Sequence, residues 1–248
     1  MVIFMPLMDE FKEEREEMKQ RSFKERMAYF WDYHKWYVIG SAVGILVVAS
    51  LLNSFLNRKE MAYYSAFVNV AQTIYSEDYK RAFAEKAGIN PKKQAVYFDS
   101  DLRIDFTKMD EVTSSSVQKI MVYVAAGDLD SMVGDLETTN RYAYNGVFID
   151  LRDFLTEEEF QKYEPYFFYA DKKLIEAAAG EVALDFEFPA TPSDPSGMEE
   201  PIPVAIKLDQ CPKLRECYAM APDQYLAIMV NNKHPELNHL FLNYLFEN

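Results

Sequence analysis

The stretch that decides the architecture is WYVIGSAVGILVVASLLNSFL, residues 36–56, between Lys35 and Asn57-Arg58-Lys59. Its 21 residues carry no charge. At about 1.5 Å per residue, a helix of that length spans about 30 Å, the thickness of a bilayer's hydrocarbon core. Buried helices of soluble proteins are seldom apolar on every face over such a length, and signal peptides have a shorter apolar run after a brief basic leader. The stretch therefore predicts a retained transmembrane helix.

Aromatic side chains crowd the N-terminal side of this stretch. Rings that carry one polar atom favour the boundary between lipid headgroups and hydrocarbon. We expect five of them to anchor the helix at that interface: Tyr29, Trp31, Tyr33, Trp36 and Tyr37. Ser22-Phe23-Lys24-Glu25 matches a capping box, so one long helix is predicted to begin near residue 23.

Two glycines inside the stretch bear on self-association. Gly40 and Gly44 form a GxxxG pair, a spacing that lets two membrane helices approach closely. One interpretation is a homodimer through this face, and the other is that glycine is simply common in membrane helices.

The basic residues that flank the stretch indicate its orientation. Four lie on the N-terminal side, at Arg21, Lys24, Arg26 and Lys35, and two on the C-terminal side, at Arg58 and Lys59. Because the more basic flank stays in the cytoplasm, we predict a single-pass protein of the plasma membrane. Residues 1–35 are then a cytoplasmic helix or tail, 36–56 the transmembrane helix and 57–248 an extracellular domain.

Charge is distributed unevenly along the chain. The formal net charge is −14, and residues 60–248 hold 17 basic and 32 acidic side chains. A nucleic-acid partner is disfavoured because phosphate binding needs the opposite sign. The acidic composition predicts a soluble domain that is repelled by an anionic membrane surface.

Strand-like and helix-like segments alternate after residue 60. This succession predicts an α/β fold with a mostly parallel sheet and helices on its faces. The predicted strands cover residues 62–70, 94–98, 131–134, 147–151, 182–188, 204–208 and 225–230. The predicted helices cover 77–87 after a Ser76 cap, the region of 117–124 up to Gly127, 138–144, 156 to near Pro165, and the C-terminal segment from Pro235. Prolines and a glycine predict a loop over 189–203.

Two segments carry a resemblance to a known family. Lys119 to Leu155 includes Ala125-Ala126-Gly127-Asp128-Leu129-Asp130 and, after it, Tyr142-Ala143-Tyr144-Asn145-Gly146-Val147-Phe148-Ile149-Asp150-Leu151. It resembles the first lobe of extracellular solute-binding proteins with the type II periplasmic-binding-protein fold. Residues 227–237, leading into Phe241-Leu242-Asn243-Tyr244-Leu245, resemble the end of their second lobe. The layout as a whole also resembles uncharacterised single-pass membrane proteins of anaerobic Gram-positive bacteria. This second resemblance brings no established activity with it.

The resemblance implies two lobes, although members of the family usually have a longer chain and a large second lobe. If the second lobe here is only residues 170–248, both lobes are small and the cleft between them is shallow or absent. A parallel α/β fold binds ligands at the carboxyl ends of its strands. On this topology we expect a small molecule or peptide to contact Tyr75, Asp135, Thr138, Thr139 and Tyr225.

The sequence contains no motif that indicates catalysis. It has no Gly-x-Ser-x-Gly, HExxH or CxxC pattern and no phosphate-binding glycine loop. His234 and His239 are five residues apart, which does not place them on one helix face as four would. We therefore expect no enzyme activity, no metal site and no cofactor.

The only cysteines are Cys211 and Cys217. Outside the membrane they could form a disulfide across a short loop. Alternatively, a helix from Pro212 would hold their α-carbons too far apart for a bond.

Two functions remain open on this evidence. One is a membrane-tethered module that binds a small molecule or peptide, as a solute-binding protein does. The other is an interaction or scaffold module of the cell envelope that keeps the fold, has lost the ligand cleft and contacts a partner protein.

Overall fold

The computed structural model describes residues 22–178 and 194–247. The chain divides into two compact units, Met1–Arg58 and Lys59–Asn248. We call the second unit the body.

The first unit contains helix α1, Phe23–Leu56, which is 34 residues long. Its predicted capping box is confirmed, because the Ser22 amide donates to Glu25 Oε2 at 2.9 Å and the Glu25 amide donates to Ser22 Oγ at 3.5 Å. The segment His34–Leu56, 23 residues, is long and apolar enough to cross a membrane. Length and composition therefore agree with the predicted span.

The predicted interface residues all lie in α1. Trp31, Trp36 and Tyr37 are exposed, and a Cβ atom built on Gly40 or Gly44 would meet nothing within 4 Å. Tyr29 and Tyr33 belong to the same helix. Their contact with lipid, and the helix–helix contact at the two glycines, stay predictions.

The body alternates short strands and helices. Its strands are β1 (Glu60–Phe67), β2 (Ala71–Gln72), β3 (Gln94–Asp99), β4 (Ser131–Asp135), β5 (Phe167–Asp171), β6 (Pro201–Lys207), β7 (Tyr218–Ala219) and β8 (Gln224–Ile228). Its helices are α2 (Ser76–Lys86), α3 (Glu111–Ala126), α4 (Leu136–Tyr144), α5 (Leu151–Phe154), α6 (Glu157–Tyr163), α7 (Lys172–Ala178), α8 (Pro212–Cys217) and α9 (Pro235–Phe246). Single 3-10 turns occur at Glu164–Tyr166 and Pro195–Gly197.

Six strands form one sheet in the order β3-β1-β4-β8-β6-β5, while β2 pairs with β7 separately. β1 is parallel to β3 and β4, whereas the pairs β4–β8, β8–β6 and β6–β5 are antiparallel. The α/β class is therefore confirmed, and the prediction of a mostly parallel sheet is wrong. Alternation of strands and helices is a local pattern, but strand direction depends on where each connection returns the chain. The connections 172–200 and 208–223 begin and end at the same end of the sheet, which reverses the strand that follows.

The prediction of two small lobes is also corrected for the described residues. β5, β6 and β8 come from the second half of the chain, yet they join the sheet begun by β1, β3 and β4. Joining an existing sheet gives the backbone N–H and C=O groups of these strands hydrogen-bond partners. The described part of Lys59–Asn248 is therefore one compact unit.

Both faces of the sheet are covered by helices. Side chains alternate along β1, so Tyr63 enters one core and Tyr64 the other. On the first face, Phe83 of α2 and Phe241 of α9 have ring centroids 5.1 Å apart. On the second face, Ile120 of α3 is 2% exposed.

Several local expectations differ from the structure. Residues 147–151 form only an isolated bridge between Phe148 and Met229, and α5 begins at Leu151. Ser76 is the first residue of α2 rather than its cap, since its hydroxyl donates to the Cys217 carbonyl at 2.5 Å. The predicted strand at 182–188 and loop residues 189–193 lie outside the described residues, and loop residues 201–203 belong to β6.

Gly127 and Gly88 offer a test of the packing around α3. Both have φ +66, but a Cβ atom on Gly127 would lie 3.1 Å from the Asn231 carbonyl oxygen, whereas one on Gly88 would meet nothing within 4 Å. Gly88→Ala should lower the free energy of unfolding by about 1 kcal/mol, the cost of a left-handed alanine. Gly127→Ala should lower it by about 2–3 kcal/mol because it also forces the carbonyl to move. Urea unfolding of the full chain, followed by circular dichroism, measures both, and equal losses would contradict the contact.

Candidate functional site

Four of the five predicted ligand contacts lie at one end of the six-stranded sheet. Asp135 ends β4 and pairs in register with Gln224, the first residue of β8. Tyr225 pairs with both Gly134 of β4 and Lys207, the last residue of β6. We call this the Gln224 end of the sheet.

Asp135 has a structural role at this end. Its Oδ1 accepts a hydrogen bond from the Thr138 amide at 2.9 Å, which caps α4, and its Oδ2 accepts from Asn69 Nδ2 at 2.7 Å. Asn69 follows β1 with φ 58, a left-handed conformation that asparagine tolerates better than most residues. Its side chain also bonds both backbone groups of Ile104. Both oxygens of the carboxylate therefore have protein partners.

The two predicted threonines lie beside Asp135, as expected, but are enclosed. Thr138 and Thr139 are each 1% exposed. Thr139 Oγ1 donates to the Gly134 carbonyl at 3.3 Å, and a Cβ atom on Gly134 would lie 3.3 Å from Thr138 Cγ2. They pack against the end of β4.

The two predicted tyrosines have different surroundings. Tyr225 is 8% exposed, its ring meets that of Phe168 edge-on at 5.2 Å, and burial raises the pKa of its hydroxyl. Tyr75 follows β2, immediately precedes α2 and is 49% exposed, beside Ile74 at 84%. Of the five predicted contacts, four meet at the Gln224 end and Tyr75 lies after the separate two-stranded sheet. Their contact with a ligand stays a prediction.

Gln224 is the residue that the sequence did not single out. Its side chain is 0% exposed, and neither Nε2 nor Oε1 has a hydrogen-bond partner among the described residues. A buried amide without partners is costly and rare in folded proteins. In the sequence it resembles an ordinary polar residue before an apolar strand, so no local pattern marks it.

Charged groups lie at the same end of the sheet. Lys207 Nζ lies 2.6 Å from Asp223 Oδ1 and 3.0 Å from Asp209 Oδ2. These carboxylates raise the pKa of Lys207, so the lysine is a cation at neutral pH. Side chains alternate along β8, so the Gln224 amide lies on the face of the sheet that carries Leu226, whereas the Tyr225 ring lies on the other face.

His234 is the N-terminal cap of α9 and His239 lies within α9, and each contacts a different carboxylate. His234 Nδ1 lies 2.9 Å from Asp130 Oδ1, and His239 Nδ1 lies 2.9 Å from Glu159 Oε2. Burial raises the pKa of Asp130, against the hydrogen bonds from Tyr64 and His234. The described residues contain no group of three or more histidine, cysteine, aspartate or glutamate side chains that could hold a metal ion. Each pair instead connects α9 to the rest of the body.

The cysteines occupy the two ends of α8. Cys211 caps the helix and Cys217 is its last residue, and both are free, buried thiols. Of the two alternatives drawn from the sequence, the structure has the helix from Pro212, with both thiols free. Burial raises the pKa of the Cys211 thiol to about 12, which leaves it protonated and a poor nucleophile at neutral pH.

The comparisons with known proteins give a weak likeness to solved structures. No family model and no curated protein matches the chain. Among solved structures, one match is the ABC substrate-binding protein Lmo0181 from Listeria monocytogenes in complex with cycloalternan, with 17% sequence identity and a TM-score of 0.25. The match covers 50% of this chain and 34% of that chain, so the chain spans about a third of that protein's length.

The Glu159 pair gives a pH-dependent test. Burial opposes the charge on Glu159, but hydrogen bonds from Thr156 and the neighbouring His239 outweigh it and hold the pKa below the ordinary 4.5. A lowered pKa stabilises the folded state above pH 4.5, and this contribution is lost as the pH falls through the folded pKa. Glu159→Gln should therefore lower the free energy of unfolding by about 1–2 kcal/mol at pH 6.

The deficit of Glu159→Gln should shrink as the pH falls from 6 through the lowered pKa of Glu159, because the wild-type side chain then becomes neutral as well. Urea unfolding across that pH range measures it. The matched control is Glu158→Gln, on the same turn of α6 and exposed, which should change stability little at any pH. A deficit that does not vary with pH would contradict the role of the charge.

Proposed function

We propose that this chain is a membrane-tethered module whose body binds a small molecule or peptide at the Gln224 end of the sheet. α1 supplies the anchor, since His34–Leu56 is long and apolar enough to cross a bilayer. In this proposal the N-terminus is cytoplasmic, the body is extracellular and no catalytic step takes place.

The observation that carries the binding role is the unpartnered amide of Gln224. Its two polar atoms are buried without partners among the described residues. Such a group lowers stability unless a ligand completes its hydrogen bonds. The amide offers one donor group and one acceptor, which fits a hydroxyl or a peptide group. Lys207 and Tyr225 lie at the same end of the sheet but on the opposite face from the amide, so the binding proposal rests on Gln224 alone.

Replacement of Gln224 tests this role directly. Gln224→Leu keeps a similar volume and removes the unpartnered amide, so the free energy of unfolding without ligand should rise by about 1 kcal/mol. The detergent-solubilised full chain is then tested in a thermal-shift screen against sugars, amino acids and short peptides. One class of these compounds should raise the melting temperature of the wild type. The variant should lose that shift.

The matched control for this screen is Gln210→Leu, at an exposed turn position. It should retain the ligand shift and change stability by less than about 0.5 kcal/mol. If Gln224→Leu instead destabilises the body and the wild type responds to no compound, binding at this end is wrong.

Membrane orientation has its own test. Intact cells that express the full chain should lose the body on protease treatment, because an extracellular body is accessible while the cytoplasmic tail is not. Survival of the body in intact cells, with digestion after permeabilisation, would contradict the proposed orientation.

A second candidate function is an interaction module of the cell envelope that has no ligand cleft. Its support is a set of exposed apolar side chains on α3 and on the edge strand β3. Val112, Met121 and Val122 of α3 are 54%, 48% and 61% exposed, and Tyr97 of β3 is 47% exposed. Exposed apolar groups on neighbouring elements are typical of protein-binding surfaces. A silent ligand screen, together with a defined partner whose binding Val122→Glu abolishes, would favour this function.

A further inference from the structure

Most basic side chains of the body have a carboxylate partner. Salt bridges to aspartate or glutamate side chains are formed by Lys80, Arg81, Lys86, Lys119, Arg141, Arg152, Lys172, Lys173, Lys207, Arg215 and Lys233. Lys59, Lys92 and Lys93 are exposed and form no such pair with the described residues. They are therefore unneutralised cations on a body that is strongly acidic overall.

These three lysines lie together at the start of β1 and β3. The Glu60 amide donates to the Lys93 carbonyl at 2.8 Å, and Glu60 pairs in register with Gln94. Lys59 immediately precedes Glu60, so it lies next to the hydrogen bond between Glu60 and Lys93. We call Lys59, Lys92 and Lys93 the basic edge.

The turn that carries two of these lysines is fixed by hydrogen bonds. The Lys92 amide donates to Asn90 Oδ1 at 3.0 Å, and the Lys93 amide donates to the Asn90 carbonyl at 3.0 Å. Within residues 57–60 and 90–93, Glu60 is the only acidic side chain. The positive charge of the basic edge is therefore concentrated and held in place.

The covalent link between α1 and β1 is short. α1 ends at Leu56 and β1 begins at Glu60, so only residues 57–59 connect them. Such a link extends no more than about 14 Å from Leu56 to Glu60 even when fully stretched. If α1 spans a bilayer, its end lies at a headgroup layer, and Glu60 stays within that distance of it.

We propose that the basic edge binds the headgroups of anionic lipids in the leaflet where α1 ends. This inference rests on the proposed membrane anchor. Lysines close to an anionic surface are attracted to it, and the attraction fades within about 10 Å at 0.1 M salt. The rest of the body is acidic and repelled by the same surface, so the two effects together favour contact of the basic edge, rather than another part of the body, with the lipid.

Lysine acetylation of the full chain in vesicles tests this contact. The protein is reconstituted in phosphatidylcholine alone and in phosphatidylcholine with 30% phosphatidylglycerol, about the anionic content that gives a strong surface potential. A short pulse of acetylating reagent is followed by mass spectrometry. Lys92 and Lys93 should react at least about threefold more slowly in the anionic vesicles, and high salt should remove the difference.

Lys108 and Lys162 are internal controls, because they are exposed and form no carboxylate pair among the described residues. Their rates should be the same in both vesicles. Equal rates for Lys92 and Lys93 in both vesicles would overturn the proposal. Slow reaction in both would also overturn it, because a second copy of the chain or another segment would then cover the edge.

Paired variants isolate the contribution of the charges. In Lys92→Gln/Lys93→Gln, the slowing of Lys59 in anionic vesicles should fall by at least half, whereas Lys108→Gln/Lys162→Gln should leave it unchanged. Full slowing in both variants would overturn the role of the turn lysines. Flotation with neutral vesicles separately tests the anchor, since a chain that fails to float contradicts the proposed function rather than the basic edge.

Discussion

The antiparallel pairing of β8 between β4 and β6 is the constraint on which the rest of the body depends. β8 forms five registered pairs with β4, from Ser131↔Ile228 to Asp135↔Gln224, and three with β6. All five of its residues are buried. Without this strand, the parallel group β3-β1-β4 and the antiparallel pair β6–β5 would each expose a row of unpaired backbone groups. The same pairing buries Gln224 and places Tyr225 beside Lys207.

A buried polar network connects α9 to β1 and β4. The Tyr63 hydroxyl donates to Asn238 Oδ1 at 2.7 Å and lies 2.9 Å from Ser131 Oγ, and Ser131 Oγ donates to Ser65 Oγ at 2.8 Å. β1, β4 and α9 are thus connected through side chains with complementary donors and acceptors. A satisfied network of this kind favours one packing arrangement, because any shift leaves a buried polar group without a partner. Gln224 differs from this network, because neither polar atom of its side chain has a hydrogen-bond partner among the described residues. The proposed binding role rests on this difference.

Charge adds a second level of organisation. The surface of the body is acidic, and its cations mostly sit beside carboxylates, as in the pair of Lys207 with Asp223. The basic edge departs from this arrangement at the point where the chain leaves α1. The proposed ligand binding at the Gln224 end and the proposed lipid contact at the start of β1 are compatible, since β1 begins at Glu60 and ends at Phe67, towards the Gln224 end.

The sequence by itself determined the local features of this protein. Residues 36–56 marked the apolar helix through length and absence of charge, Ser22 and Thr156 marked capping boxes, and Gly127 marked a helix end. Each depends on neighbours within a few positions, so the pattern is visible in the chain. The placement of Asp135, Thr138 and Thr139 together followed for the same reason.

Only the tertiary structure decided strand direction, the single sheet and the state of Gln224. β8 is antiparallel to β4 although 89 positions separate Asp135 from its partner Gln224, and no local signal encodes such a pairing. The lysines of the basic edge are separated in sequence and meet only because β1 pairs with β3. Burial, missing partners and clustered charge are properties of contacts between distant segments, which hydrophobic period and turn chemistry do not specify.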